Sequence, residues 1–274
     1  MDQQKTKKIA FLGAGNMSEA IIKGILTAAL FPAKDIIAAD ISNERLLILA
    51  ERYAIQSARS NQEAAQMGNI IIIGVKPSIV EPLLDQVGPF LKGKLVISVA
   101  AGVPILRLME KLNSSASVIR VMPNAAALVL AGAAVLSLGD NVTPAQLEDA
   151  RSIFGAIGKT WVLEESLLDA VTGLSGSGPA FVMVMIEAMA QGGVQCGLPN
   201  ETALALATQT VFGAGKWLLE SQEHPARLKD FVASPGGTTI AGLSQLETHG
   251  VRSAFIAAVE AATKRSKELG LKKQ

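Results

Sequence analysis

Lys8–Ala20 reads KIAFLGAGNMSEA, and the rest of the chain is organised around it. Ile9-Ala10-Phe11-Leu12 is a short apolar run of the kind that forms a buried parallel strand. Gly13-Ala14-Gly15 follows at once, and a helical pattern begins behind it. A strand that turns through glycines into a helix is the phosphate-cradling unit of a dinucleotide fold. Gly13 allows the tight turn, Gly15 lets backbone approach a pyrophosphate, and the free N–H groups of the helix start face the anion. The third glycine of the usual GxGxxG pattern is replaced by Ser18, a residue small enough to keep helix and strand close.

Outward from that stretch, the first half alternates strands and helices. Met17–Leu30 is helical, with Ile21, Ile22, Ile25 and Leu26 on one face. Asp35–Asp40 reads as a second strand, Asn43–Tyr53 and Asn61–Met67 as helices, and the isoleucine run in Asn69–Val75 as a further strand. Leu95–Val99, Ser117–Met122, Ala133–Leu138 and Thr160–Leu163 are also strands, with a helix near Pro144–Phe154. This order predicts an α/β Rossmann-type domain with a doubly wound, mainly parallel sheet over residues 1–164. Ligands of such sheets sit outside the carboxyl ends of the strands, where Gly13, Gly15, Asp40, Lys76, Ala100 and Asn124 fall.

From Glu165 the strand patterns fade, and residues 165–274 read as an all-α domain for dimerisation and substrate binding. Leu167–Val171 opens a helix, and Ser175-Gly176-Ser177-Gly178-Pro179 breaks the chain. Ala180–Cys196 is apolar nearly all round, with Met183, Met185 and Met189 as packing residues and Glu187 as the only charge between Ser177 and Gly197. A membrane span is disfavoured, because Glu187, Gln191 and Gln195 would lie in the bilayer. Burial on all sides in so small a domain points instead to a second copy of the chain. Glu201–Glu220, Ile240–Thr248 and Val251–Leu269 complete the helices, and Ser234-Pro235-Gly236-Gly237-Thr238-Thr239 is a second glycine turn that opens a helix.

Composition excludes several classes. The 274 residues suffice for about two domains. A net charge of +1 implies no nucleic-acid partner. The basic ends (Lys5, Lys7, Lys8; Lys264, Arg265, Lys267, Lys272, Lys273) read as solvated. A polar start that runs straight into a strand carries no secretory signal, and a lone Cys196 fits a reducing cytosol, so a cytoplasmic location is expected. No Cys/His spacing suits a metal, and His224 and His249 lie in polar sequence that suggests surface positions.

Taken together, GAGNM, Val75-Lys76-Pro77, Arg120–Asn124, Leu168–Thr172, Ser175–Ala180 and Ser234–Thr239 resemble the pyrroline-5-carboxylate reductases over essentially the whole chain. The resemblance implies NAD(P)H-dependent reduction of 1-pyrroline-5-carboxylate to L-proline, the last step of proline synthesis. It also implies an obligate homodimer through the helical domain, with further assembly into a pentamer of dimers. The implied cofactor residues are Gly13, Ala14, Gly15, Asn16, Met17, Asp40, Ser42, Asn61, Val75, Lys76, Pro77, Ala100 and Asn124. The implied substrate residues are Ser177, Ser234, Gly237, Thr238 and Thr239, with the Thr239 hydroxyl near the imine nitrogen and the loop reaching the partner's nicotinamide. Ser18 and Ala125, where the family usually has Gly and Thr, are departures.

The chemistry agrees on independent grounds. Reducing a cyclic imine needs a hydride donor over the C=N carbon, a proton for nitrogen and a grip on the carboxylate. The nitrogen can be protonated in advance, so a strong protein acid is not required, and proximity carries much of the catalysis. Clustered N–H donors at Ser234–Thr239 suit a carboxylate. Lys76 reads either as a cation near the cofactor phosphates or the substrate carboxylate, or as a turn fixed by Pro77, with its backbone and stem touching the cofactor. Asn61 is a ribose contact or a helix cap, and Asp169 a hinge hydrogen-bonding residue rather than an acid. Asp40 at a strand end favours NADH, whereas the resemblance favours NADPH, with Ser42, Asn43 and Arg45 around its phosphate if Asp40 turns away. Use of both cofactors is expected. Rival readings are another imine or β-hydroxyacid-type reductase, and a dinucleotide sensor without catalysis.

Overall fold

The structure, a computed structural model, describes residues 7–271; Lys5, Lys272 and Lys273 lie outside them. By packing it divides into two units, one comprising residues up to Gly176 with those from Ala262, the other Ser177–Ala261.

The first unit is built on one sheet. Its strands are β1 (Ile9–Leu12), β2 (Ile36–Ala39), β3 (Gln56–Ser57), β4 (Ile70–Ile73), β5 (Leu95–Ser98), β6 (Ser117–Met122), β7 (Gly132–Leu138) and β8 (Gly158–Val162). They lie in the order β3-β2-β1-β4-β5-β6-β7-β8. Six of the pairings are parallel, and β6–β7 is antiparallel. The reason is the connection: Pro123–Ala131 holds only a 3₁₀ turn, too short for a crossover, so the chain reverses. The other connections carry helices: α1 (Asn16–Thr27), α2 (Asn43–Tyr53), α3 (Asn61–Met67), α4 (Pro77–Val87), α5 (Ile105–Lys111) and α6 (Pro144–Gly155).

Alternation along the buried strands makes two cores. Ile9, Phe11, Ile70 and Ile72 face one layer, packed with Ile21, Ile22 and Ile25 of α1. Ala10, Leu12, Ile71 and Ile73 face the other, packed with Val80, Leu83 and Leu84 of α4. Continuous apolar runs are therefore needed here, because both faces of these strands are dry. The expected strands and helices of this half are present with ends shifted by up to three residues in either direction, and α4 and α5 add the crossovers that parallel pairing demands. Lys7 is not simply solvated; its Nζ pairs with Asp149 at 2.6 Å.

Past β8, α7 (Leu168–Val171) leads into a π-helical turn at Thr172–Gly176 and then α8 (Gly178–Gln195). The expected break at Ser175–Pro179 is thus a widened turn, with Pro179 in the first turn of α8.

The second unit is wholly helical: α8, α9 (Asn200–Ser221), α10 (Pro225–Phe231), α11 (Thr238–Thr248) and most of α12 (Val251–Leu271). Its core is thin. Ile186 and Ala190, four apart on α8, pack on Ala203 and Ala207, four apart on α9. Much apolar surface stays open, including Met183 at 64% and Val184 at 66% exposure. His224 accepts the Ala226 N–H at the start of α10, a helix beyond those expected. The stretch Glu165–Gln195 is long and apolar enough to cross a membrane by length and composition.

Candidate functional site

The glycine loop between β1 and α1 is tied down at almost every backbone group. Gly13 sits at φ +97°, where a side chain is strained, and a Cβ there would lie 2.7 Å from Val75 Cγ1. Its N–H donates to Ala39 O at 2.8 Å, and its carbonyl accepts from Ser18 Oγ at 2.6 Å. Ser18 is fully buried, and a Cβ on Gly74 would meet its Oγ at 2.2 Å. The helix-packing role expected of a third glycine is therefore shared between Ser18 and Gly74.

Gly15 is different. It is exposed, and a Cβ built on it would meet nothing within 4 Å. It caps α1 without a side-chain hydrogen bond. Among the described residues no protein acceptor takes the N–H groups of Gly15, Asn16 or Met17. Open space over an uncapped helix start, with aligned N–H donors, is what a dinucleotide pyrophosphate fits.

Asp40 and Ser42 are drawn into this frame. Asp40 Oδ2 accepts the Ala14 N–H at 2.7 Å, and Oδ1 accepts the Ser42 N–H at 2.9 Å. Ser42 caps α2 by accepting the Arg45 N–H at 3.2 Å. Arg45 Nε donates to Ala14 O at 2.7 Å, and its guanidinium pairs with Glu19. Arg52 and the Tyr53 hydroxyl also bond Glu19, at 2.6 Å and 3.1 Å. Burial pushes the Glu19 carboxyl up, but the hydrogen bonds from Arg45, Tyr53 and Arg52 outweigh it and hold the group below its ordinary value. Burial, then the bond to Glu19, raises Tyr53.

The remaining first-unit candidates gather at the other strand ends. Val75, which touches Gly13, and Lys76 follow β4. Lys76 is exposed and precedes Pro77, the first residue of α4, so the turn reading of this pair describes a helix start. Ala100 is buried beyond β5, and its N–H reaches Ser98 Oγ at 3.3 Å. The cap of α3 is Ser60, which accepts the Glu63 N–H, so Asn61 is not the capping residue. Asn124 uses both ends of its amide within the fold: Nδ2 donates to Ser175 O at 3.0 Å, and Oδ1 accepts the Ala133 N–H at 3.1 Å. The residue four positions after Ser175 is Pro179, which has no N–H to donate, so that carbonyl is open to Asn124. Asp169 accepts Ser266 Oγ at 2.6 Å, as suits a structural role.

Two groups beyond those expected matter here. Glu19 organises the arginines behind the loop. Arg120, 8% exposed, pairs with Glu165 Oε1 at 2.8 Å, and the same oxygen accepts the Ile105 N–H at 2.8 Å. A charge inside an otherwise apolar strand was the available signal for Arg120.

All substrate candidates lie in the second unit. Gly236 has φ +67°, Gly237 caps α11, and the helix begins at Thr238, two residues earlier than expected. Gly237 N–H donates to Ser234 O at 3.0 Å, which moves the open donors on to Thr238, Thr239 and Ile240. A Cβ on Gly237 would lie 2.3 Å from Ser234 Oγ. Like α1, α11 has no side-chain cap. Ser177 precedes α8, half-buried, and its carbonyl accepts the Ala180 N–H. Elsewhere in this unit an apolar groove of about 740 Å³ runs between α8 and the α11–α12 turn, lined by Phe181, Met185, Met189, Leu246 and Phe255. His249 lines it too; it is exposed, as expected of a surface position, but beside apolar rather than polar side chains. Among the described residues no group of three His, Cys, Asp or Glu side chains is placed to hold a metal.

Residues 165–269 match the family model for pyrroline-5-carboxylate reductase dimerisation. Residues 8–102 match that for coenzyme F420-dependent NADP oxidoreductase. The chain is 44% identical over 269 residues to pyrroline-5-carboxylate reductase from Methanosarcina acetivorans, covering 98% of this chain and all of that one. Two solved structures are similar throughout. A pyrroline-5-carboxylate reductase from Coxiella burnetii has TM-score 0.92 and 33% identity, covering 97% of this chain and 99% of that one. The Plasmodium falciparum pyrroline carboxylate reductase with NADP bound has TM-score 0.87 and 32% identity, with the same coverage.

Proposed function

The chain belongs to the pyrroline-5-carboxylate reductase family and reduces 1-pyrroline-5-carboxylate to L-proline with NADPH; we propose that two uncapped helix starts do the binding. The single observation behind this assignment of sites is that α1 and α11 each follow a glycine turn and lack a side-chain cap. The start of α1, with Gly13, Ala14, Gly15, Asn16 and Met17, holds the pyrophosphate. Ser42, Asn61, Val75, Lys76, Pro77, Ala100 and Asn124 frame the rest of the cofactor. NADPH supplies the hydride when bound, and NADH serves as well.

In the second unit, Thr238, Thr239 and Ile240 offer N–H groups to the substrate carboxylate, and Ser177 and Ser234 add hydroxyls. The Thr239 hydroxyl holds the imine nitrogen, which arrives protonated, so this chain needs no strong acid. Orientation of a charged imine by fixed donors accounts for the catalysis we assign to the protein.

The chain carries the family's dimerisation region and self-associates. In finer terms, we assign residues 1–164 to cofactor binding and 165–274 to dimerisation and substrate binding, in a homodimer that further assembles as a pentamer of dimers. The open apolar face of α8 supports that reading over a membrane span, since a second copy would cover it. A cytoplasmic location and the absence of a nucleic-acid partner complete the proposal; the net charge of +1 supports the latter.

Oxidation of NADPH by the purified protein with 1-pyrroline-5-carboxylate tests the whole reading. Proline formation at the same rate is expected. Cofactor binding without turnover would leave the sensor alternative standing.

A further inference from the structure

Ala14 is the middle residue of the glycine loop, fully buried, and both of its backbone polar groups are bonded by side chains from the segment after β2. Asp40 Oδ2 takes its N–H at 2.7 Å, and Arg45 Nε donates to its carbonyl at 2.7 Å. Neither side chain extends freely toward a ribose. The second oxygen of Asp40 is taken by the Ser42 N–H, and the guanidinium of Arg45 is paired with Glu19.

Peptide planarity turns these two bonds into an aiming device. The Ala14 carbonyl and the Gly15 N–H belong to one trans peptide, so they point in opposite directions. Pulling the carbonyl toward Arg45 directs the Gly15 N–H the other way, where among the described residues no protein acceptor takes it. The Gly13–Ala14 peptide is held likewise, with Asp40 on its N–H and Ser18 Oγ on its carbonyl. The first of these two consecutive peptide planes is therefore held at both ends and the second at its carbonyl, which leaves the Gly15 N–H free. Glu19 on α1 braces the arginine, with Arg52 and Tyr53 behind it.

We propose that Asp40 and Arg45, which spacing alone would read as ribose or 2′-phosphate contacts, are instead positioning residues that aim the loop donors at the pyrophosphate. The proposal rests on the reading of the glycine loop as the cofactor site. Because NADPH and NADH share their pyrophosphate, loosening the clamp must weaken both alike. A residue that read the ribose would change their ratio.

The test is calorimetric binding of NADPH and NADH, with steady-state kinetics, on the full-length protein and five variants. Arg45→Met should weaken both cofactors by about tenfold, the scale of one charge-assisted hydrogen bond, with kcat at saturation little changed. Arg45→Lys should recover part of the loss for both, since an ammonium can still donate to the Ala14 carbonyl. Asp40→Ser should leave the NADPH/NADH ratio as in the wild type. Glu19→Gln keeps Arg45 and removes only the charged brace, so it serves if Arg45→Met does not fold; a smaller loss with an unchanged ratio is expected. A loss confined to NADPH in either Arg45→Met or Glu19→Gln would overturn the proposal. So would a changed ratio in Asp40→Ser, or wild-type affinity in Arg45→Met. Gly15→Asp is the control, because nothing in the fold crowds that position. Normal binding by folded Gly15→Asp removes the loop as cofactor site and the proposal with it. Lost binding there, with normal binding in Arg45→Met, sinks the clamp alone.

Discussion

The hydroxyl of Ser18 donates to the carbonyl of Gly13 at 2.6 Å, and a Cβ on Gly74 would stand 2.2 Å from the same oxygen. The loop, the first turn of α1 and the end of β4 therefore meet at one atom. Gly74→Ala should cost about 1–3 kcal/mol by overpacking. Ser18→Gly alone should cost about 1 kcal/mol through the lost bond and the helix glycine. The double variant should be more stable than Gly74→Ala, because the obstructing oxygen is gone. Urea unfolding of the four proteins checks this; additive losses would show that the two residues do not compete for the space.

Acid should expose the Glu19 network. Its folded carboxyl lies below the ordinary value of 4.5, so the stabilisation is complete above that value and is lost as pH falls through the depressed folded value. The stability gap between wild type and Glu19→Gln should accordingly be full at neutral pH and shrink below 4.5. A gap that widens on acidification would contradict the sign.

At the other helix start, Thr239→Ala should slow turnover while NADPH affinity stays near wild type. The loss of one such hydrogen bond corresponds to about 1–3 kcal/mol in kcat/KM. Unchanged turnover would remove Thr239 from the chemistry.

Cofactor candidates all fall in one unit and substrate candidates in the other, and the family resemblance implies sites shared between chains. Mixing a Gly15→Asp chain with a Gly237→Asp chain under subunit exchange tests this. A mixed dimer with shared sites regains one intact site, whereas unshared sites leave none. Activity that stays at the parental level, with mixed dimers verified by mass, rules sharing out.

Much of this molecule was legible beforehand. β1, α2, α3 and β6 match their predicted spans residue for residue, because each joins a clear apolar pattern to a turn or capping residue. The positions of Gly13 and Gly15 followed from the same logic. What spacing could not show is where a polar side chain spends its hydrogen bonds. Asp40 stands at the expected strand end, yet its carboxylate folds back on a residue 26 positions earlier. Asn124 carries the expected amide, but a π turn and β7 take both ends of it. Arg120 meets Glu165 across 45 residues. Such pairings depend on tertiary approach and rotamer choice, and no local periodicity encodes them.

The bond between Asp169 and Ser266 has a consequence for synthesis. Its partners are 97 residues apart, and the last residues of α12 pack with the first unit. The ribosome must therefore make the whole helical unit before the first unit can close. At about 5–20 residues per second, Asp169 waits on the order of 5–20 s for its partner. The sheet can fold during that interval, but the unit stays unsealed until the last turns of α12 have been made.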